Sequence, residues 1–221
     1  RVAGCTPAEA ELIIGEIARL HAAWWLQPCL GKLDWLRPFD LGPLQETYRR
    51  SWNVFVVRMG SRLTDELRTI GELLGTHLAA LFERYWDAPW TLVHNDIQLD
   101  NIFFSGADAA PTLTIIDWQS VVRGQGVLDV AGFLGGNLTI EDRRAHEDRL
   151  LKLYHQQLLK RGVRGYSFDD LRAGYRAALF DGFSRMVIAI ASQLTPEQER
   201  IHRDILWPRY SAAVLDLQAD A

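Results

Sequence analysis

Three short runs of β-favouring residues, Thr91-Leu92-Val93, Ile102-Phe103-Phe104 and Leu113-Thr114-Ile115-Ile116, stand in a chain whose other segments follow helical spacing. Turn residues bound each run, and Gly106-Ala107-Asp108 reads as a hairpin turn between the second and third. Strand structure is thereby confined to one small patch near the middle. On both sides the signals are helical. Thr6-Pro7-Ala8-Glu9 is a capping box with proline at the first helical position, and Leu12, Ile13, Ile17, Leu20 and Trp24 extend it as an amphipathic helix over 7–25. Pro28, Gly31, Pro38 and Pro43 punctuate 28–43, which reads as loop. Helices are expected at 44–58 and at 64–86, the second with Leu67, Ile70, Leu74, Leu78, Leu81 and Tyr85 on one face. Thr139 caps a helix ending near Gly162, and Ser167 with Asp170 starts another that runs to about Ser192. Thr195-Pro196-Glu197-Gln198 opens a final helix. The fold class is α+β, mainly α.

Composition narrows the function. The chain has 221 residues and a net charge of −4, so it offers no basic field for nucleic acid or an anionic membrane. Charges and glycines interrupt every apolar run before it reaches the ~20 residues of a membrane span. Two cysteines, Cys5 and Cys29, are too few for a disulfide framework. With no secretory leader read at the start, the cytoplasm is the expected compartment.

Polar residues concentrate in the β patch. His94-Asn95-Asp96-Ile97-Gln98-Leu99-Asp100-Asn101 fits H-x-D-x-x-x-x-N, and the hydrophobic run Ile115-Ile116 delivers Asp117 shortly afterwards. This set suits phosphoryl transfer, in which the protein mostly positions groups and neutralises charge. Asp96 would accept the proton of an attacking hydroxyl. Asn101 and Asp117 offer the hard oxygen ligands that Mg²⁺ prefers, and a hairpin between the segments would set them side by side. Two other readings stay open. The set could be a capped turn between core strands, or His94 and Asp96, alternating onto one strand face, could serve a metal-dependent hydrolase. The other five histidines stand in helical segments without ligand spacing.

These residues resemble the catalytic and metal-binding loops of the aminoglycoside phosphotransferase and choline kinase-like superfamily, which has the protein-kinase fold. The resemblance implies that Asp96 is the catalytic aspartate, that Asn101 and Asp117 are the metal ligands, and that His94 is the loop's packing histidine. It places Phe103 and Ile116 as the apolar floor beneath the adenine. Gly126-Val127-Leu128-Asp129 resembles the later segment whose aspartate braces the catalytic loop and opens a helix. Ala18-Arg19-Leu20-His21-Ala22-Ala23-Trp24-Trp25, with Asp117-Trp118-Gln119, is most similar to the ecdysteroid-kinase-like branch.

The chain departs from that pattern in three ways. Asn95 stands where a glycine is usual, Gln98 stands where a second histidine is frequent, and no Ala-Pro-Glu follows Asp117 as it does in protein kinases. Lys32, Lys152 and Lys160 are the only lysines, none in a strand, and Gly71-Glu72-Leu73-Leu74-Gly75 falls within a helix. The resemblance therefore implies that residues 1–221 are a C-terminal catalytic lobe, with the nucleotide-binding N-terminal lobe absent from the chain. A start at Arg1, without methionine, is read the same way.

The implied activity is Mg²⁺-dependent transfer of the γ-phosphate of ATP (or GTP) to a hydroxyl of a small molecule. Twelve acidic and thirteen basic residues after position 140 give no surplus of carboxylates for a polycation, so a neutral or hydrophobic acceptor is expected. The alternative is a pseudokinase of the same fold that binds nucleotide or ligand without turnover.

Overall fold

The computed structural model describes residues 2–38, 42–83, 89–105 and 112–219. Eight α-helices and four short strands occur among them: α1 (Pro7–Trp24), α2 (Gly42–Met59), α3 (Asp65–Phe82), β1 (Thr91–Val93), β2 (Ile102–Ser105), β3 (Thr112–Ile115), β4 (Val122–Gly124), α4 (Val127–Asn137), α5 (Ile140–Lys160), α6 (Phe168–Ala191), α7 (Pro196–Ile201) and α8 (Trp207–Ala219). The α+β, mainly α class holds. No helix among the described residues is long and apolar enough to cross a membrane.

The helix starts form as the sequence requires. Thr6 accepts from Glu9 N while the Glu9 carboxylate accepts from Thr6 N, and the same reciprocal box closes at Ser167/Asp170 and Thr195/Gln198. Gly162 ends the α5 region at φ +95°, the left-handed backbone that glycine adopts without penalty.

Helix α6 is the axis of the packing. It touches α2, α3, α4, α5 and α8, and its buried residues (Leu171, Tyr175, Leu179, Phe183, Val187 among them) spread round the helix instead of forming one stripe. Helix α1 lies along α5, with Ile13, Ile14 and Ile17 fully buried. A single apolar core runs through all of these helices.

The β patch is two separate antiparallel ribbons. β2 pairs with β3, Ile102 opposite Ile115 and Phe103 opposite Thr114. β1 pairs with β4, Val93 opposite Val122. The ribbon β2–β3 is the hairpin expected from the sequence; Gly106-Ala107-Asp108, read as its turn, and Tyr85, expected on the helix over 64–86, lie outside the described residues.

Three expectations need correction. The strand β4 goes unread because Val122-Arg123-Gly124 is too short to show alternation. Residues 28–43 are not all loop: Pro28–Lys32 forms a 3₁₀ turn and Gly42 opens α2. The final helix is not continuous, since residues His202–Leu206 form a π segment between α7 and α8. Pro208 supplies the reason. Its ring would press on the carbonyl of Asp204 in an α geometry, and a widened turn relieves that contact.

Candidate active site

The loop from His94 to Asn101 leaves β1 and is fastened at both ends by α4. Asp129, in the first turn of that helix and 2% exposed, takes the backbone N–H of His94 on Oδ2 (2.8 Å) and that of Asn95 on Oδ1 (2.7 Å). Asn137, in the last turn and equally buried, accepts from Leu99 N through Oδ1 (3.0 Å) and donates to Ile97 O (3.2 Å). Asp129 therefore acts as the brace that the resemblance implied. Asn137 is a residue that sequence reasoning missed; nothing near it in the sequence singles out a buried amide from any helix-terminal asparagine.

Behind the brace stands a second layer. His21 donates from Nε2 to Asp129 Oδ2 (3.1 Å), and the Tyr154 hydroxyl donates to His21 Nδ1 (2.7 Å). Both side chains are fully buried, and burial holds the Tyr154 hydroxyl well above its ordinary pKa, so it is a proton donor throughout the working range. Gly126 makes the space: a Cβ there would lie 2.5 Å from His21 Nδ1 and 2.7 Å from the Tyr154 oxygen. Helices α1 and α5 thus reach the loop through Asp129.

Within the loop, Asn95 adopts φ +65°, a left-handed conformation that Asn tolerates better than other residues with a side chain. That explains how it can stand where the resembling proteins have glycine. Its side chain also does what glycine cannot: Nδ2 donates to Ser120 O (3.2 Å) and Oδ1 accepts from Arg185 Nη2 (2.8 Å).

Asp96 follows, half-buried. Its Oδ2 accepts from Gln98 Nε2 (3.1 Å) and Asn101 Nδ2 (3.3 Å), and Asn101 Nδ2 also donates to Asp96 O (3.0 Å). Gln98, in place of a second histidine, is thus a donor to the aspartate.

Asn101 spends its amide N–H groups on Asp96, which leaves Oδ1 as the atom for a cation. The backbone bond Ile116 N to Asn101 O (2.9 Å) sets Asp117 one residue past the position opposite Asn101. Asp117 is exposed, at φ +64° and ψ +61°, a strained conformation for an aspartate, and its Oδ2 accepts from Gln119 Nε2 (3.3 Å). One amide oxygen and one exposed carboxylate are hard donors, few in number. They suit an ion that keeps several waters and phosphate oxygens. Among the described residues no group of three His, Cys, Asp or Glu side chains could hold a metal without such help.

The β2–β3 register places Phe103, Thr114 and Ile116 on one ribbon face, the face of Asn101. Phe103 is 55% and Ile116 42% exposed, so this face carries open apolar surface beside the polar loop. His94 is fully buried, donating from Nε2 to Ile116 O (2.9 Å) with Trp118 edge-on at 4.7 Å. It ties the two loops together and is not available as a base or ligand.

On the other side of Asp96 a cavity of about 110 Å³ opens between the loop, α4, α6 and α8. Asp96, Asp181, Arg185 and Tyr210 line it with the apolar Leu128, Met186 and Leu206. Arg185 donates from Nε to Asp181 Oδ2 (2.7 Å). Burial works against its charge, but the Asp181 carboxylate more than offsets this and holds the guanidinium above its ordinary pKa. Gly182 lets α8 close this wall, since a Cβ there would fall 2.2 Å from the Tyr210 ring. Arg185 and Asp181 lie far from the motif in sequence, and their i, i+4 spacing resembles any surface ion pair.

A family model described as "Uncharacterized oxidoreductase dhs-27" matches residues 66–203, more than half of the chain. The chain belongs to that family. The matched span contains the whole loop, both ribbons, α4 and the Asp181–Arg185 pair. No curated protein matches the sequence.

Proposed function

We propose that this protein is the C-terminal, catalytic lobe of a kinase-like phosphotransferase, of the superfamily that includes aminoglycoside phosphotransferases, choline kinases and ecdysteroid-kinase-like proteins. Its substrate is a small molecule with a hydroxyl group, and ATP is the phosphoryl donor. One observation carries the reading: Asp96 stands between the Asn101 amide on one side and a cavity for a small molecule on the other. In the proposed reaction the acceptor oxygen, seated in the cavity, attacks the γ-phosphorus as the bond to the β,γ-bridging oxygen breaks. Asp96 receives the acceptor proton. Gln98 and Asn101 hold its Oδ2, so the carboxylate keeps one orientation. Asn101 and Asp117 are the residues that would hold Mg²⁺, whose part is to neutralise phosphate oxygens. The exposed face of Phe103 and Ile116 offers the adenine an apolar floor.

The word oxidoreductase in the family's description gains no support from the site. Dinucleotide folds bind pyrophosphate at a glycine-rich turn between a parallel strand and a helix. The strands among the described residues pair only as two antiparallel ribbons.

The test is phosphorylation by the protein expressed from its complete gene, with Mg²⁺, ATP and a library of neutral alcohols. Asp96→Asn should lower turnover by about 10²-fold or more with nucleotide affinity retained. Asp117→Ala should weaken Mg²⁺-dependent nucleotide binding. Full turnover in the Asn variant removes Asp96 from the mechanism.

A further inference from the structure

We propose that Asp181 selects the acceptor, accepting a hydrogen bond from a second hydroxyl on the molecule whose first hydroxyl meets Asp96. This rests on the reading of the cavity as the acceptor site. Asp181 is 8% exposed, and its Oδ2 is taken by Arg185. Its Oδ1 is buried and has no hydrogen-bond partner among the described residues. An unpaired buried carboxylate oxygen is costly, and such groups in folded proteins nearly always meet a donor. Asp181 lines the same cavity as Asp96, so the missing donor comes from whatever fills it.

The position is rigid. Arg185 bridges Asp181 to Asn95, the residue before Asp96, so the loop and this carboxylate are held in one frame. Arg185 already offsets the charge of Asp181, so what Oδ1 lacks is a hydrogen-bond donor and not a counter-charge. Leu128, Met186 and Leu206 supply apolar walls, so the fitting ligand is a neutral, largely apolar body with two hydroxyls.

Binding tests this without any turnover. Cyclohexanol, the cyclohexanediol isomers and trans-4-aminocyclohexanol would be titrated against the protein by saturation-transfer NMR. At least one diol should bind tenfold or more tightly than cyclohexanol, and more tightly than the amino alcohol. In Asp181→Asn, whose amide can still accept from Arg185 but presents N–H groups at the Oδ1 position, the diol preference should fall below about threefold. Equal binding of cyclohexanol and every diol by the unaltered protein overturns the proposal, and that comparison needs no variant to fold. An unchanged preference in Asp181→Asn, or tighter binding of the amino alcohol, overturns it as well. If the preference depends on Asp181 while the protein from the complete gene transfers no phosphate from ATP to any alcohol tested, the selectivity stands and the phosphotransferase reading falls.

Discussion

Asp129 and Asn137 stand about two turns apart on α4 and grip opposite ends of the loop that carries Asp96. The helix acts as a ruler, so the loop's span is set by helix geometry and not by the loop's own residues. Asp129→Ala would strand the backbone N–H groups of His94 and Asn95, the first buried and the second half-buried, and the His21 imidazole. It should cost about 3 kcal/mol or more. Asn137→Ala should cost about 2 kcal/mol. Urea denaturation measures both, and losses below about 0.5 kcal/mol would mean that the clamps are not holding the loop.

Asn95 combines a left-handed backbone with two side-chain hydrogen bonds, and substitutions separate the two. Asn95→Gly keeps the backbone free of strain and loses the bonds to Ser120 and Arg185. Asn95→Ala loses the same bonds and adds a Cβ penalty of about 1 kcal/mol. The alanine variant should therefore be the less stable by about that amount in the same denaturation assay.

Asp216 gives stability a pH dependence with a definite sign. Partial burial would raise its pKa, but hydrogen bonds from Arg144 (2.9 and 3.0 Å) and from Arg143 prevail and hold the carboxyl below its ordinary 3.8. The unfolded chain then binds the proton more readily. The contribution is fully present above the unfolded pKa and is lost as pH falls through the folded one. The urea midpoint should fall below about pH 4, and Asp216→Asn should flatten that fall while costing about 2 kcal/mol at pH 7 through the buried Arg143.

The two thiols should differ sharply in reactivity. Cys5 is buried, and that burial, with Glu9 adding to it, pushes its pKa up to about 11; Cys29 is exposed. Iodoacetamide at pH 8 should label Cys29 in the folded protein and reach Cys5 only in urea, as mass spectrometry would show. Comparable rates for both would contradict the burial of Cys5, whose backbone N–H donates to Asn137 O at the end of α4 (3.0 Å).

Much of this is legible in the sequence. Capping boxes at Thr6, Ser167 and Thr195 announce helices because each satisfies its backbone donors locally. The spacing His94–Asp96–Asn101, followed by Asp117, marks the polar loop because the proposed phosphoryl transfer would need those groups in one short stretch. What stayed hidden depends on long-range packing. Nothing local distinguishes Asp181 and Arg185 from a solvent-exposed ion pair until α6 is seen against the loop. Asn137 and His21 become meaningful only through partners far along the chain. Pro208 marks the break before α8 only once the π segment is seen, because in sequence alone it reads equally as a tolerated first-turn proline.

The π segment His202–Leu206 has a consequence for how the cavity could change over time. A π turn holds extra residue length that an α turn does not need. Deleting one residue from this stretch would let it relax toward α geometry, leaving α8 seated through Tyr210. The helices on either side would keep nearly their present orientation, because the deletion removes the residue that the wider turn absorbs, and only the side chain that the segment presents to the cavity at Leu206 would change. Most deletions in a packed helix break it. Here a shortened chain could remain folded while the shape of its binding wall is rewritten in a single step.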